Sequence, residues 1–109
     1  GNVLQNVLQN VLQMIVEWDD AKNQANIAKH GIDFGFASRI FEGVTVDSED
    51  TRFDYGETRV IITGCIHGIT VIVVVHTDRQ GACRIISARQ ANTRERAVYE
   101  KAIHKTFDT

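Results

Sequence analysis

Apolar residues follow two different spacings along this chain. In the first part they recur every three or four positions, as at Phe34, Ala37, Ile40 and Phe41, so that they share one face of a helix. From residue 59 onward, β-branched residues gather in short runs separated by glycine-containing turns, which is typical of strands. This change of spacing predicts helices followed by a sheet.

Capping signals bound the predicted helices. Asp19 or Asp20 caps the first helix, and Gly31 suits the left-handed residue that ends it. Asp33 caps the second helix, and Gly43 closes it. The predicted elements before the sheet are therefore a short strand over residues 15–17, a helix over 20–29, a helix over 34–42 and an acidic loop over 47–58.

Three apolar runs then predict consecutive antiparallel strands over residues 59–66, 69–77 and 82–89. His67-Gly68 suits a hairpin turn that needs positive φ, and the uniformly apolar residues 71–75 suit the middle of a sheet. Asn92 and Glu95 have the spacing of a capping box, which opens a helix through about residue 105. The fold class predicted is α+β: a small, mainly antiparallel sheet with two N-terminal helices and a C-terminal helix.

The first 13 residues stand apart from this pattern. Gly1 is followed by three copies of Asn-Val-Leu-Gln and then by Met14. We interpret residues 1–13 as a non-native or low-complexity extension, which leaves residues 14–109 as a single domain. The alternative is that the repeat forms an apolar helical stripe that drives homo-oligomerisation.

Charge is divided unevenly along the 109 residues, whose net charge is −2. Residues 1–57 hold 4 Lys and Arg against 10 Asp and Glu, whereas residues 58–109 hold 8 against 4. A basic C-terminal half suits a phosphate-binding surface. Cys65 and Cys83 lie inside apolar runs and read as small buried hydrophobes, and there is no apolar run of about 18 residues, so no membrane association and a cytoplasmic location are expected.

Several residues suit the chemistry of RNA cleavage, which needs a base, an acid and cations around the phosphate. Lys29 and His30 lie at a predicted helix C-terminus, where the structural alternative is that their charge caps the carbonyl ends. His76, just before Thr77 and Arg79, lies where the apolar run of residues 71–75 is predicted to reach solvent. It is either a proton-transfer group or an ordinary polar residue at a strand end. No metal-nuclease or zinc spacing is found, so neither a metal nor another cofactor is expected.

Glu57 and Arg59 share a face if the segment is extended. They form a simple salt bridge or a device that aims the guanidinium at a ligand, which makes Glu57 a better positioning group than base. Arg84 and Arg89 flank Ser87 on a predicted strand and suit phosphate. Because these arginines are five residues apart, a regular strand points them to opposite faces; either a bulge intervenes, or Arg89 lies past the strand end, which we favour.

Four short motifs occur in an order that resembles the BrnT family, the ribonuclease toxins of bacterial toxin-antitoxin pairs. They are Lys29-His30-Gly31, Gly56-Glu57-Thr58-Arg59, Val75-His76-Thr77 and the stretch from Arg84 to Arg89. The resemblance implies a RelE-like fold, RNA cleavage that halts translation, a BrnA antitoxin partner, and operator DNA bound only through the antitoxin complex. It places the active surface around Lys29, His30, Glu57, Arg59, His76, Thr77, Arg84 and Arg89, to which we add Arg79 and Ser87 as RNA-binding residues. The chain departs from the family in having no proline in the acidic loop.

These observations predict a metal-independent endoribonuclease toxin. In the predicted mechanism His30 or His76 exchanges the proton, while Arg59, Arg84 and Arg89 hold phosphate and Lys29 adds charge. One alternative is a non-catalytic module that binds protein and nucleic acid through the same arginines. The other is a structural oligomeriser that depends on the N-terminal repeat.

Overall fold

The computed structural model of the protein describes residues 15–107. The N-terminal repeat and its predicted role lie outside these residues. The strands are β1 (Val16–Trp18), β2 (Thr45–Glu49), β3 (Val60–Ile66), β4 (Thr70–Arg79) and β5 (Ala82–Gln90). The helices are α1 (Asp20–His30), the short α2 (Phe34–Ala37) with a 3₁₀ helix (Ser38–Glu42) directly after it, and α3 (Thr93–Phe107).

The five strands form one sheet in the order β1-β5-β4-β3-β2. The pairs β2–β3, β3–β4 and β4–β5 are antiparallel, whereas β1 pairs with β5 in parallel. The sheet is therefore mixed, and the predicted α+β class is confirmed. β4 lies at its centre, as expected from the apolar residues 71–75, because a strand with neighbours on both sides and cover on both faces does not alternate apolar with polar.

Helices α1 and α2 and the 3₁₀ helix cover one face of the sheet, which we call the helical face. Phe34, Ala37 and Ile40 are fully buried there, and Asp19 and Gly31 bound α1 as predicted. The three buried side chains of the helical layer pack against the core side chains of the strands, which include Ile62, Ile66, Ile72, Val74, Ile85 and Ala88. Burial of each large apolar side chain contributes about 1.5–3 kcal/mol, so this layer supplies most of the core.

The opposite face, which we call the arginine face, carries Arg59, Thr77, Arg84, Ser87 and Arg89. Helix α3 lies across the part of it that is closest to the β3–β4 turn. There Tyr99 donates a hydrogen bond to the Val44 carbonyl at 2.8 Å, and Val71 and Val73 are buried. Among residues 15–107, no helix lies across the part that carries the arginines, which α3 contacts through Glu95 of its first turn.

Two predicted elements differ from the structure. Residues 45–49, of which 47–49 were expected in the acidic loop, form β2, because they complete the edge of the sheet beside β3 despite four acidic or hydroxyl side chains. The second helix is not continuous: it becomes a 3₁₀ helix at Ser38, whose hydroxyl donates to the Gly35 carbonyl at 2.7 Å. The first difference arises from strand pairing that overrides local preference, whereas the second accompanies a local hydrogen bond.

The remaining expectations concern turns, cysteines and membrane. His67 and Gly68 have positive φ in the β3–β4 hairpin, as predicted. Cys65 and Cys83 are free thiols: Cys83 is buried as predicted, but Cys65 is only partly buried. Burial raises the pKa of Cys83 to about 11. Across residues 15–107, none of the helices has the length and apolar character that a membrane span requires.

Candidate functional site

Direct pairing across three strands brings polar side chains into one row of the arginine face. Glu17 of β1 lies opposite Arg84 of β5, which lies opposite Thr77 of β4. Arg59, at the entrance to β3, extends this row, because Val60 is paired with His76 and side chains alternate. Residues that are directly opposite on one face have Cβ atoms about 4.5–5.5 Å apart, so the row is continuous.

A bulge in β5 brings the two arginines of the Arg84–Arg89 stretch to the same face. Val75 pairs with Ser87, but the next residue, His76, pairs with Ile85, so Ile86 is the extra residue. The extra residue cancels the odd spacing, and Arg84, Ser87 and Arg89 all point away from the helical face. The expectation that Arg89 lies past the strand end is therefore wrong, since β5 extends to Gln90.

The arginines of the polar row are held by single, long contacts. Arg84 lies 3.4 Å from Glu17, and Arg59 lies 3.3 Å from Glu57, which also receives a 3.5 Å contact from Arg79. These pairs aim the guanidiniums without saturating their donors, since each fork has five N–H groups. Glu57 thus lies between two cations, and the predicted pair with Arg59 is present, while its positioning role stays a prediction.

Arg89 is held differently, by a bidentate pair. Both of its terminal nitrogens donate to Glu95 at 2.7 Å, and Glu95 also accepts from the Asn92 amide, while Asn92 accepts from the Glu95 amide. The predicted capping box is confirmed, and it fixes the start of α3 to the arginine face. The hydrogen bond from Arg89 lowers the pKa of Glu95 to about 2, and Glu95 in turn raises the pKa of Arg89.

The loop between β2 and β3 adds a further guanidinium, that of Arg52. Asp50 is buried and accepts from the side chain of Arg52 through two nitrogens at 2.9 Å and from the Tyr55 hydroxyl at 3.1 Å. These bonds hold the pKa of Asp50 far below its usual range, chiefly through Arg52. The charge of Arg52 opposes the pKa rise of Arg89. The loop lies against the arginine face because the Arg59 guanidinium stacks on the ring of its Tyr55.

Thr77 serves the loop as well as the row. It is buried, and its hydroxyl donates to the Thr58 carbonyl at 2.7 Å, which ties the end of the loop to the central strand. Arg59 directly follows Thr58. Its guanidinium stacks on the Tyr55 ring, with the central carbon 3.9 Å from the ring centroid. Thr77 and Tyr55 thus fix Arg59 from two directions.

Lys29 and His30 lie at the edge of the site. They line a shallow depression with Ile86 and Ser87, next to the bulge. Helix α1 is fixed there by Asn26, whose side chain donates to the Ala88 carbonyl at 2.8 Å and accepts from the Ala88 amide at 3.1 Å. β1 pairs with β5 only as far as Ile85, and the Asn26 side chain makes the hydrogen bonds that a neighbouring strand would make at Ala88. These bonds bring the end of α1 beside Ser87.

His76 lies on the other side of the sheet. Its ring packs edge-on against Phe41 of the helical layer, with centroids 6.0 Å apart, and the residue is 9% exposed. Nδ1 is buried without a hydrogen-bond partner, 3.9 Å from Asp78. Burial lowers the pKa of His76, and Asp78 and Asp47 oppose this shift. The structure thus brings together Arg59, Thr77, Arg84, Ser87 and Arg89, with Lys29 and His30 at their edge, but it places His76 away from them.

Sequence reasoning missed the partners that hold these arginines. Glu17, Arg52 and Glu95 were not assigned to the site, and the aromatic residues Phe53 and Tyr55 were overlooked inside an acidic loop. The signal that could have found the loop is this aromatic pair, because two aromatic residues are unusual in a solvated acidic segment. Among residues 15–107 there is no group of three or more His, Cys, Asp or Glu side chains arranged to hold a metal ion.

Guanidiniums gathered on one face of a small α+β sheet are typical of the class of proteins that bind phosphate-rich partners. Residues 18–95 match the family model described as the ribonuclease toxin, BrnT, of type II toxin-antitoxin systems. The match spans well over half of the chain, and the protein belongs to the BrnT family.

A solved structure agrees with this assignment. The chain resembles the crystal structure of the Brucella abortus ribonuclease toxin, BrnT, with a TM-score of 0.56 and 27% sequence identity. The likeness covers 74% of this chain and 100% of that chain. No curated protein matches the sequence.

Proposed function

We propose that this BrnT-family ribonuclease toxin cleaves single RNA strands without a metal, on the arginine face. The observation that carries the proposal is the β5 bulge, because it places Arg84 and Arg89 on the face that already holds Arg59. Three guanidiniums on one face of the sheet match the charge of successive phosphates. Their long contacts to Glu17 and Glu57 leave donors free for a ligand.

The proposed reaction is attack of an RNA 2′-oxygen on the adjacent phosphorus, with departure of the 5′-oxygen. A base takes the 2′-hydroxyl proton, and an acid returns a proton to the 5′-oxygen. Arg59 and Arg84 stabilise the charge that develops on the phosphorane, and Arg89, fixed by Glu95, holds a neighbouring phosphate. Glu57 positions Arg59 and Arg79, and Thr77 positions Arg59 through Thr58.

His30 is the stronger candidate for proton transfer. It lines the same depression as Ser87, which lies between Arg84 and Arg89 along β5, and Lys29 adds positive charge beside it. His76 faces the helical layer, where its ring is in contact with Phe41 rather than with the arginines. A role for His76 in the reaction would require the sheet to expose its other face.

The biological setting follows from the family. We propose a BrnA-like antitoxin as partner, binding of operator DNA through that complex alone, inhibition of translation by RNA cleavage, a RelE-like classification, and action in the cytoplasm. The cleft between α3 and β2, lined in part by Val46, Thr63 and Val98, and the edge of β2 are suitable surfaces for the antitoxin. We propose that residues 14–109 act as one domain, and that any homo-oligomer forms through the N-terminal repeat.

The test is cleavage of a labelled single-stranded RNA by the full chain in EDTA. We expect 2′,3′-cyclic phosphate ends, and we expect Arg84→Ala to lower the rate by about 100-fold to 1,000-fold, as for loss of a donor to a developing oxyanion. His30→Ala should reduce the rate by about 100-fold or more, the usual contribution of a proton-transfer group.

The matched control is Arg39→Ala. Arg39 is an arginine of the 3₁₀ helix that contacts His67 at 3.0 Å, at the other end of the sheet, and its loss should leave the rate unchanged. Cleavage that EDTA abolishes would contradict the metal-free route. RNA binding without cleavage would favour a non-catalytic binding module.

A further inference from the structure

The loop between β2 and β3 presents an aromatic side chain that the proposed reaction does not use. Phe53 is 69% exposed, and its ring packs edge-on against Tyr55 with centroids 5.8 Å apart. Exposure of an aromatic ring leaves a large favourable burial unrealised, on a loop that otherwise consists of polar residues. Apart from this contact with Tyr55, most of the ring is left to solvent and can accept a ligand.

The buried Asp50 side chain fixes the shape of this loop. The Asp50 side chain is 1% exposed and binds the backbone amide and the side chain of Arg52 together with the Tyr55 hydroxyl. The Asp50 amide donates to the Arg59 carbonyl at 2.7 Å, which closes the base of the loop. The loop thus presents Phe53 in a defined place and needs little ordering when a ligand binds.

The surroundings of Phe53 indicate what kind of ligand fits. Arg59 stacks on Tyr55, which itself contacts Phe53, and the Arg52 side chain, one residue before Phe53, is held by Asp50. An apolar peptide would meet these cationic groups without a counter-charge, whereas a nucleotide supplies both a phosphate for the guanidiniums and a flat base for the ring. Aromatic rings beside a cationic track are the usual way in which proteins bind single strands.

We propose that Phe53, supported by Tyr55, is a stacking subsite for an unpaired RNA base next to the phosphate contacts of the arginine face. This inference rests on the proposed function, and it names the substrate class as unpaired RNA, because a base must leave its helix to stack on the ring. The subsite binds any base through its π-face and places the neighbouring phosphate at Arg59. Phe53 is thus a substrate-binding residue outside the polar row.

The test compares two single-stranded probes of equal length: a 2′-O-methyl RNA, which cannot react through its 2′-oxygen, and an abasic oligonucleotide. The parent should bind the 2′-O-methyl RNA about tenfold more tightly than the abasic strand, a typical gain from stacking one base. Phe53→Ala should lose this difference and bind the abasic strand as the parent does. Phe53→Trp should keep the difference, and its added indole fluorescence should be quenched by the 2′-O-methyl RNA but not by the abasic strand.

Ile69→Ala is the matched control, because Ile69 is equally exposed at 70% but lies in the β3–β4 turn, at the other end of the sheet. It should behave as the parent does with both probes. Equal binding of both probes by the parent, or identical binding by the parent and Phe53→Ala, would overturn the subsite.

The RNA cleavage assay separates this outcome from the proposed function. Cleavage in EDTA with no effect of Phe53→Ala on either binding or rate removes the subsite and leaves the nuclease. Base binding that depends on Phe53, without any cleavage by the parent, supports the subsite and removes the nuclease.

Discussion

The two faces of the sheet are built from the same strands but follow different rules. On the helical face, Ile72, Val74 and Ile85 are at most 1% exposed and pack against helices. On the arginine face, β5 carries Arg84 and Arg89, which pair with Glu17 of β1 and with Glu95 of α3. The first face provides the stability of the fold, and the second uses that stability to hold charged groups in place. The difference predicts that substitutions on the two faces affect different properties.

The largest expected effect on stability belongs to the helical face. Ile72→Ala should lower the free energy of unfolding by about 2–5 kcal/mol, because it removes a fully buried side chain and leaves a cavity. Arg84→Ala on the same sheet should cost about 1 kcal/mol or less, because its contact with Glu17 is single and partly exposed. Urea unfolding of both variants measures this, and equal losses would contradict the division of roles.

A smaller effect concerns the buried histidine of the helical face. Burial lowers the pKa of His76 from its usual value of 6.5, so the folded protein resists a proton that the unfolded chain accepts. The stabilisation is fully present above pH 6.5 and declines as the pH falls from 6.5 toward the lowered folded-state pKa. Urea unfolding at a series of pH values should show this decline in the parent and a weaker one in His76→Gln. An identical decline in both would contradict it.

The smallest effect concerns the point where α3 joins the arginine face. Glu95→Gln removes the charge that fixes Arg89, and it should cost about 1 kcal/mol, the upper end for a partly exposed ion pair. Because the pKa of Glu95 is lowered to about 2, this contribution is present above pH 4.5 and is lost as the pH falls from 4.5 toward 2.

Glu100→Gln on the same helix is the control for Glu95→Gln. It breaks only an i, i+4 pair with Arg96 and should cost about 0.5 kcal/mol or less. Urea unfolding at pH 7 compares the two variants. A larger loss in Glu100→Gln would show that the pair with Arg89 is not the stronger one.

What the sequence predicts follows from interactions that are local. The cap at Asp19, the turn at His67-Gly68 and the capping box of Asn92 with Glu95 depend on residues within a few positions, and all three are found in the structure. β2 was missed because its stability comes from pairing with β3 and not from its own residues. Local pattern cannot show such a partner.

The site was predictable in its residue types but not in its geometry. The motifs place Arg59, Arg84 and Arg89 in one list, yet only the register of β4 against β5 shows that a bulge turns Arg84 and Arg89 to one face. The same register places His76 on the helical face, one position from Thr77 on the other. A shift of one residue reverses every side chain of a strand, so this distinction requires the structure.

The most direct test of the account is the salt dependence of binding to an uncleavable single-stranded 2′-O-methyl RNA. If Arg84 and Arg89 each contact a phosphate on the same face, Arg84→Ala and Arg89→Ala should each reduce the slope of log binding constant against log salt by about 0.7. Arg39→Ala, at the other end of the sheet, should leave the slope unchanged. Unchanged slopes for the first two variants, or an equal change for Arg39→Ala, would contradict the claim that the bulge builds the RNA-binding face.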